Sequence, residues 1–177
     1  MVIVELIDLL PTVAALSGLS VPPEAEGQDR SEIVLYGNLS SQSHQTLDSD
    51  GVAFHQFPSC GGSAFPGNAS DFDEQRVECN NVPSNKFQLM GFSVRDARFR
   101  FTRWLLWDPD MLAADWDGPY RDELYDHDGD DATDFDAFEN VNLAANMTFA
   151  SDVTRLAGLL QQTFDHKSSR AASPGAE

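Results

Sequence analysis

The chain is short of positive charge: 11 Lys and Arg stand against 29 Asp and Glu in 177 residues, a net charge of −18 at pH 7. A field of that sign repels phosphates, which excludes nucleic acid and anionic membrane surfaces as main partners. No run of apolar residues approaches the roughly 18 that cross a bilayer, so no membrane span is expected. The four histidines, His44, His55, His127 and His166, are too dispersed for a zinc signature. No Gly-x-Ser-x-Gly elbow presents a serine nucleophile. The N-terminus lacks a basic region, its apolar stretch is short, and it carries an acid at Glu5, so it makes a poor signal peptide. Two explanations are open: a cytosolic protein, or a parent protein in which Met1 is not the true start.

The residues that are present describe a folded chain. A hydrophobic share of 41% and an aromatic share of 10% support one core, or a core with a satellite. Charge is uneven along it. From Asp108 to Glu139 acids abound and Arg121 is the one base, whereas Lys86, Arg95, Arg98, Arg100 and Arg103 gather just upstream. That asymmetry predicts a solvated acidic lobe beside a positive strand face. Cys60 and Cys79 flank a stretch rich in Gly, Pro, Asn and Asp. They read as a loop stapled by one disulfide in an oxidising compartment, or as two unpaired thiols in a cytosolic one. Three sequons, at Asn38, Asn68 and Asn146, are glycosylation candidates. With the cysteine pair they tilt the reading toward the secretory pathway, and a truncated N-terminus reconciles that with the missing signal.

Patterning places the elements. Val2-Ile3-Val4 reads as a short strand, followed by a helix with Asp8 as N-cap, Pro11 in its first turn and Gly18 at its end. Ser31–Tyr36 and Gly51–Phe57 read as short strands, and Pro58–Asn85 as a long irregular excursion. Met90–Arg95 and Arg98–Leu105 alternate as a β-hairpin about Asp96-Ala97, with Phe99 and Phe101 on one face and Arg98 and Arg100 on the other. Glu123–Tyr125 is a further short strand. Val153, Leu156, Leu160 and Phe164 form one stripe of an amphipathic helix over about 151–164, and residues from Lys167 onward read as a disordered tail.

Three segments, in order, resemble the C-terminal part of the sulfatase family. They are Val4–Leu19 followed by Val21-Pro22-Pro23; Gly91–Arg95 with Phe99–Thr102 and Trp104; and Glu123–Asp126 with Glu139-Asn140 and Asn142–Ala144. Ala53-Phe54-His55-Gln56-Phe57-Pro58 is similar to a segment of the iduronate-2-sulfatase branch. The resemblance implies an α/β, alkaline-phosphatase-like sulfatase fold. Residues 1–30 would close its large domain as a strand–helix remnant. Residues 31–166 would form a small antiparallel sheet with a C-terminal helix, a stapled loop and an acidic insertion, leaving 167–177 as the tail. It also implies a sulfated saccharide substrate, the rest of a sulfatase large domain as partner, and a lysosome-like or extracellular location. His55, Gln56 and Arg95 become candidates for the substrate cleft, Arg95 because a guanidinium meets an oxyanion through two donors.

The family's own chemistry is not carried here. Sulfatases share a Cys-x-Pro/Ala-x-Arg motif whose cysteine becomes formylglycine, and calcium ligands that precede the region covered. Cys60 is followed by Gly-Gly-Ser-Ala and Cys79 by Asn-Asn-Val-Pro, so neither fits. No catalytic and no metal residue is therefore expected in this chain, and calcium and formylglycine are expectations for the parent enzyme alone. Asp126-His127-Asp128-Gly129-Asp130 fails the EF-hand pattern, which needs Gly where Asp131 stands and Glu where Ala137 stands. Two functions remain open: the tail of a sulfatase, inactive by itself, or a non-catalytic secreted module that binds carbohydrate or protein.

Overall fold

The computed structural model describes residues 3–36, 51–59, 79, 82–131, 133–134 and 137–171. The chain divides into two compact units, 1–53 and 54–177.

In the first unit, helix α1 spans Leu9–Leu16 and helix α2 spans Ser31–Tyr36. Gly18 ends α1 as expected. It adopts φ +68°, and the amides of Gly18 and Leu19 close on the carbonyls of Ala15 and Ala14, at 3.1 and 2.9 Å. Asp8 does not cap the helix. It already lies on the helical path, after a 3-10 turn over Leu6–Asp8, and its carboxylate accepts from the Gln28 amide (2.8 Å) and Arg30 Nε (3.2 Å). The expected strand at Val2–Val4 is not formed over its described residues, and Ser31–Tyr36 is helical rather than extended. Apart from Ala53, where β1 begins, the described residues of the first unit form no strand for either to pair with, and an unpaired strand leaves its backbone groups unsatisfied. Leu6 of the 3-10 turn and Leu9, Leu10 and Val13 of α1 leave an apolar face open to solvent.

In the second unit, strands β1 (Ala53–Ser59), β2 (Leu89–Arg95), β3 (Phe99–Asp108), β4 (Ala113–Ala114) and β5 (Tyr120–Asp126) form one sheet, with β3 central. β2 and β5 flank β3, both antiparallel to it. The hairpin turns one residue later than alternation implied, with Ala97-Arg98 as its loop. Asp96 builds it: its carboxylate accepts from the amides of Arg98 (2.8 Å) and Phe99 (2.6 Å), which replaces the Asn-Gly chemistry the turn lacks.

Helix α3 (Ala150–Ala171) covers one sheet face and runs seven residues past Phe164, through the start of the expected tail. Leu156, Leu160 and Phe164 of the helix share the core with Phe92, Val94, Phe101, Leu105 and Leu124 of the sheet. Leu156, Leu160, Val94, Phe101, Leu105 and Leu124 are wholly buried. Phe164 meets Phe92 at 4.7 Å and Phe54 at 6.2 Å between ring centroids. Arg155 binds Asp96 at 2.8 Å and ties the helix to the hairpin turn. The small antiparallel sheet with a C-terminal helix is thus present.

Candidate functional site

The other sheet face carries a cleft of about 530 Å³. Its position follows from strand alternation: Phe92 and Val94 point to the helix, so Gly91 and Ser93 point away from it. Register then sets Gly91 beside Trp104, Ser93 beside Thr102, Thr102 beside Glu123, and Arg100 beside Tyr125. His55 and Phe57 add a wall from β1, and Glu139 reaches in from the acidic segment.

The floor is a hydrogen-bonded pair: Thr102 Oγ1 donates to Ser93 Oγ (2.9 Å), which donates to the Phe101 carbonyl (3.1 Å). Above it, Trp104 Nε1 donates to Glu123 Oε1 (3.0 Å) and the Tyr125 hydroxyl donates to Oε2 (3.3 Å). Burial first, and the Glu123 charge second, push the Tyr125 phenol above its ordinary pKa, so it stays a donor. The indole lies so close over Gly91 that a Cβ there would sit 2.8 Å from it.

The positive strand face expected from the charge pattern is largely neutralised within the fold. Arg98 meets both oxygens of Asp126 (2.9 and 2.6 Å), and Arg103 meets both of Asp122 (each 2.8 Å). Arg100 Nη2 binds Glu139 Oε2. Glu139 Oε1 meets His127 Nε2 (3.0 Å), and His127 Nδ1 meets Asp130 (2.8 Å). Part of the acidic segment is therefore a partner of the sheet rather than a freely solvated lobe.

Of the residues singled out from sequence, His55 lines the cleft, and partial burial, then the nearby Arg100 charge, lower its pKa. Gln56 does not line it. Arg95 lies beyond the lining residues, opposite Arg100 in register, and gives a guanidinium hydrogen bond to the Asp96 carbonyl. Burial, opposed by Asp96, Asp130 and Glu139, lowers its pKa. Cys79 is at the cleft edge, 3.3 Å from the Pro58 carbonyl oxygen, and Cys60 lies outside the described residues. Asn38 and Asn68 also lie outside them, while Asn146 is exposed and its side chain accepts from the Thr148 amide at 3.0 Å. Among the described residues no group of three or more His, Cys, Asp or Glu is placed to hold a metal ion.

Sequence reasoning missed Arg100, Trp104, Glu123 and Glu139 as cleft residues. Arg100, Thr102 and Trp104 were legible in principle, because they alternate with Phe99, Phe101 and Arg103. Glu139 carries no such signal: 39 residues separate it from Arg100.

No family model matches the chain. Two curated relatives do. Iduronate 2-sulfatase of Mus musculus is 25% identical over 150 residues, which is 78% of this chain and 25% of that protein. Iduronate 2-sulfatase of Homo sapiens is 24% identical over the same shares. The chain is sulfatase-like. The two relatives support the C-terminal resemblance carried by the ordered segments. The chain spans about a quarter of the length of these relatives.

Proposed function

We propose that this chain is the C-terminal part of a sulfatase, of alkaline-phosphatase-like fold, that hydrolyses sulfate esters of sulfated sugars such as 2-sulfated uronic acids of glycosaminoglycans. The observation that carries the reading is the similarity to iduronate 2-sulfatase over 78% of the chain. The cleft on the helix-free sheet face would form one wall of the substrate site, with His55 inside it. The proposed partner of α1 is the rest of the large domain, which would cover Leu6, Leu9, Leu10 and Val13. Adjacent exposed apolar side chains of this kind are what an interface would cover.

A sulfate monoester needs charge neutralisation at its departing oxygens. Neither cysteine fits the formylglycine motif and, among the described residues, no cluster is placed to hold a cation, so in this reading those groups would belong to the remainder of the parent. This chain's part is to bind and orient. A secretory location, lysosome-like or extracellular, goes with this reading, as do a Cys60–Cys79 disulfide and glycans at the sequons.

Long-read sequencing of the mature transcript through Met1 tests it, followed by a sulfate-release assay on a 2-sulfated uronate disaccharide. The expected result is an open frame reaching a Cys-x-Pro/Ala-x-Arg motif, with activity in the whole product and none in this chain. A whole product that carries the motif and releases no sulfate refutes the substrate class. A transcript without the motif leaves a non-catalytic carbohydrate- or protein-binding module.

A further inference from the structure

Three arginines succeed one another around the hairpin, and one is treated differently. Arg98 and Arg103 each have the Nε and Nη2 donors closed by a single carboxylate, that of Asp126 and of Asp122. Arg100 has only Nη2 held, by Glu139, and its buried Nε meets no acceptor among the described residues. A guanidinium edge suits an anion with two oxygens, and a buried donor left unpaired is unfavourable. Glu139 cannot close both donors as placed, because its other oxygen is held by His127, itself fixed by Asp130 and stacked on Phe138.

The surroundings of Arg100 suit a sugar. Trp104 lines the cleft, and an indole edge or face at a cleft wall is a common neighbour for a pyranose ring. The Glu123 carboxylate takes one hydrogen bond at each oxygen from Trp104 and Tyr125, and each oxygen has a further lone pair for a hydroxyl donor.

We propose that the cleft binds an acidic sugar through Arg100. A carboxylate or sulfate of the sugar takes the Nε/Nη2 edge and displaces Glu139, which remains on His127. The ring rests against Trp104, and hydroxyls donate to Glu123. The saccharide class rests on the function proposed above; the anion site itself requires no catalytic step.

The test titrates the full chain, by calorimetry and by the Trp104 indole NMR signal, with three disaccharides. One is an unsulfated uronate disaccharide, one a sulfated disaccharide without carboxylate, and one neutral. At least one acidic probe should bind about tenfold more tightly than the neutral one, and the better of the two identifies the anion. Arg100→Gln should erase that preference. Arg100→Lys keeps the charge but not the fork, and should lose about threefold or more. Glu139→Gln, which weakens the competing partner, should tighten acidic binding by about threefold or more. Equal binding of all three probes, or acidic binding unchanged in folded Arg100→Gln, overturns the proposal. If that variant does not fold, no gain in Glu139→Gln overturns it. No turnover is read, so a parent protein without sulfatase activity would leave this result standing, and an active parent would not rescue a failed titration.

Discussion

Replacing Gly91 by alanine tests whether the indole of Trp104 is held by the backbone beneath it. The new Cβ would stand 2.8, 2.9 and 3.0 Å from three ring carbons. Ordinary contact begins near 3.4 Å, so the ring must retreat by about 0.6 Å (3.4 − 2.8). The ring is not a free end, because Nε1 is tied to Glu123 at 3.0 Å, and retreat stretches that bond toward its limit. Overpacking of this kind costs about 1–3 kcal/mol. Relief of glycine's strand penalty returns about 0.5–1 kcal/mol, which leaves a net loss of up to about 2.5 kcal/mol. Urea unfolding followed by circular dichroism, with indole fluorescence alongside, measures it. The decisive arm repeats the substitution in a Trp104→Leu background, where the clash is gone and Gly91→Ala should be neutral or stabilising. An equal loss in both backgrounds would refute the contact as its cause.

Other contacts give further expected outcomes. Leu160→Ala removes a wholly buried side chain under the sheet and should cost about 2–4 kcal/mol in the same assay. Arg103→Met leaves the nearly buried Asp122 carboxylate without its fork and should destabilise by about 1–3 kcal/mol; adding Asp122→Leu should recover much of the loss. Asp126 is held below the ordinary carboxylate pKa chiefly by its hydrogen bond to Arg98. Asp96 is also held below it: partial burial works the other way, but the Phe99 amide, Arg155 and the Arg98 amide outweigh it. Both therefore bind protons more readily unfolded than folded. Their contribution is complete above a pH of about 4–5 and fades as pH falls below the ordinary carboxylate range. Melting temperatures across pH 2–7 should show this, with a shallower acid slope in Asp126→Asn. The intact mass should rise by about 2 Da on reduction if Cys60 and Cys79 are bonded, and stay unchanged if they are not.

The hairpin and the last helix were readable because each obeys one period. Phe99 and Phe101 alternate into the core, and Leu156, Leu160 and Phe164 recur at helical spacing. Ser31–Tyr36 was not, since a short run ending in Ile33, Val34, Leu35 and Tyr36 satisfies strand and helix alike, and only a neighbour decides between them. The cleft was legible by half. His55 came from the resemblance of its segment to the iduronate-2-sulfatase branch, whereas Arg100's environment depends on Glu139 and His127, which a chain reversal and not a spacing brings to it. Asp8 shows the same limit from another side: its residue type suits a cap, but the Gln28 amide and Arg30 claimed its carboxylate first.

The link between Asp96 and Arg155 also bears on the order in which the second unit assembles. The β2–β3 hairpin closes over a two-residue loop, whereas the contact that fastens α3 to that turn spans 59 residues. Loop-closure entropy grows by about 0.6 kcal/mol per doubling, so docking the helix carries roughly 3 kcal/mol more than closing the hairpin. The hairpin can thus form early from local information, with Asp96 already fixed by its own turn amides. Helix arrival is then the step that seals Phe92, Phe101 and Leu124 from water. Substitutions in the turn should slow folding, and those on the helix face should chiefly hasten unfolding.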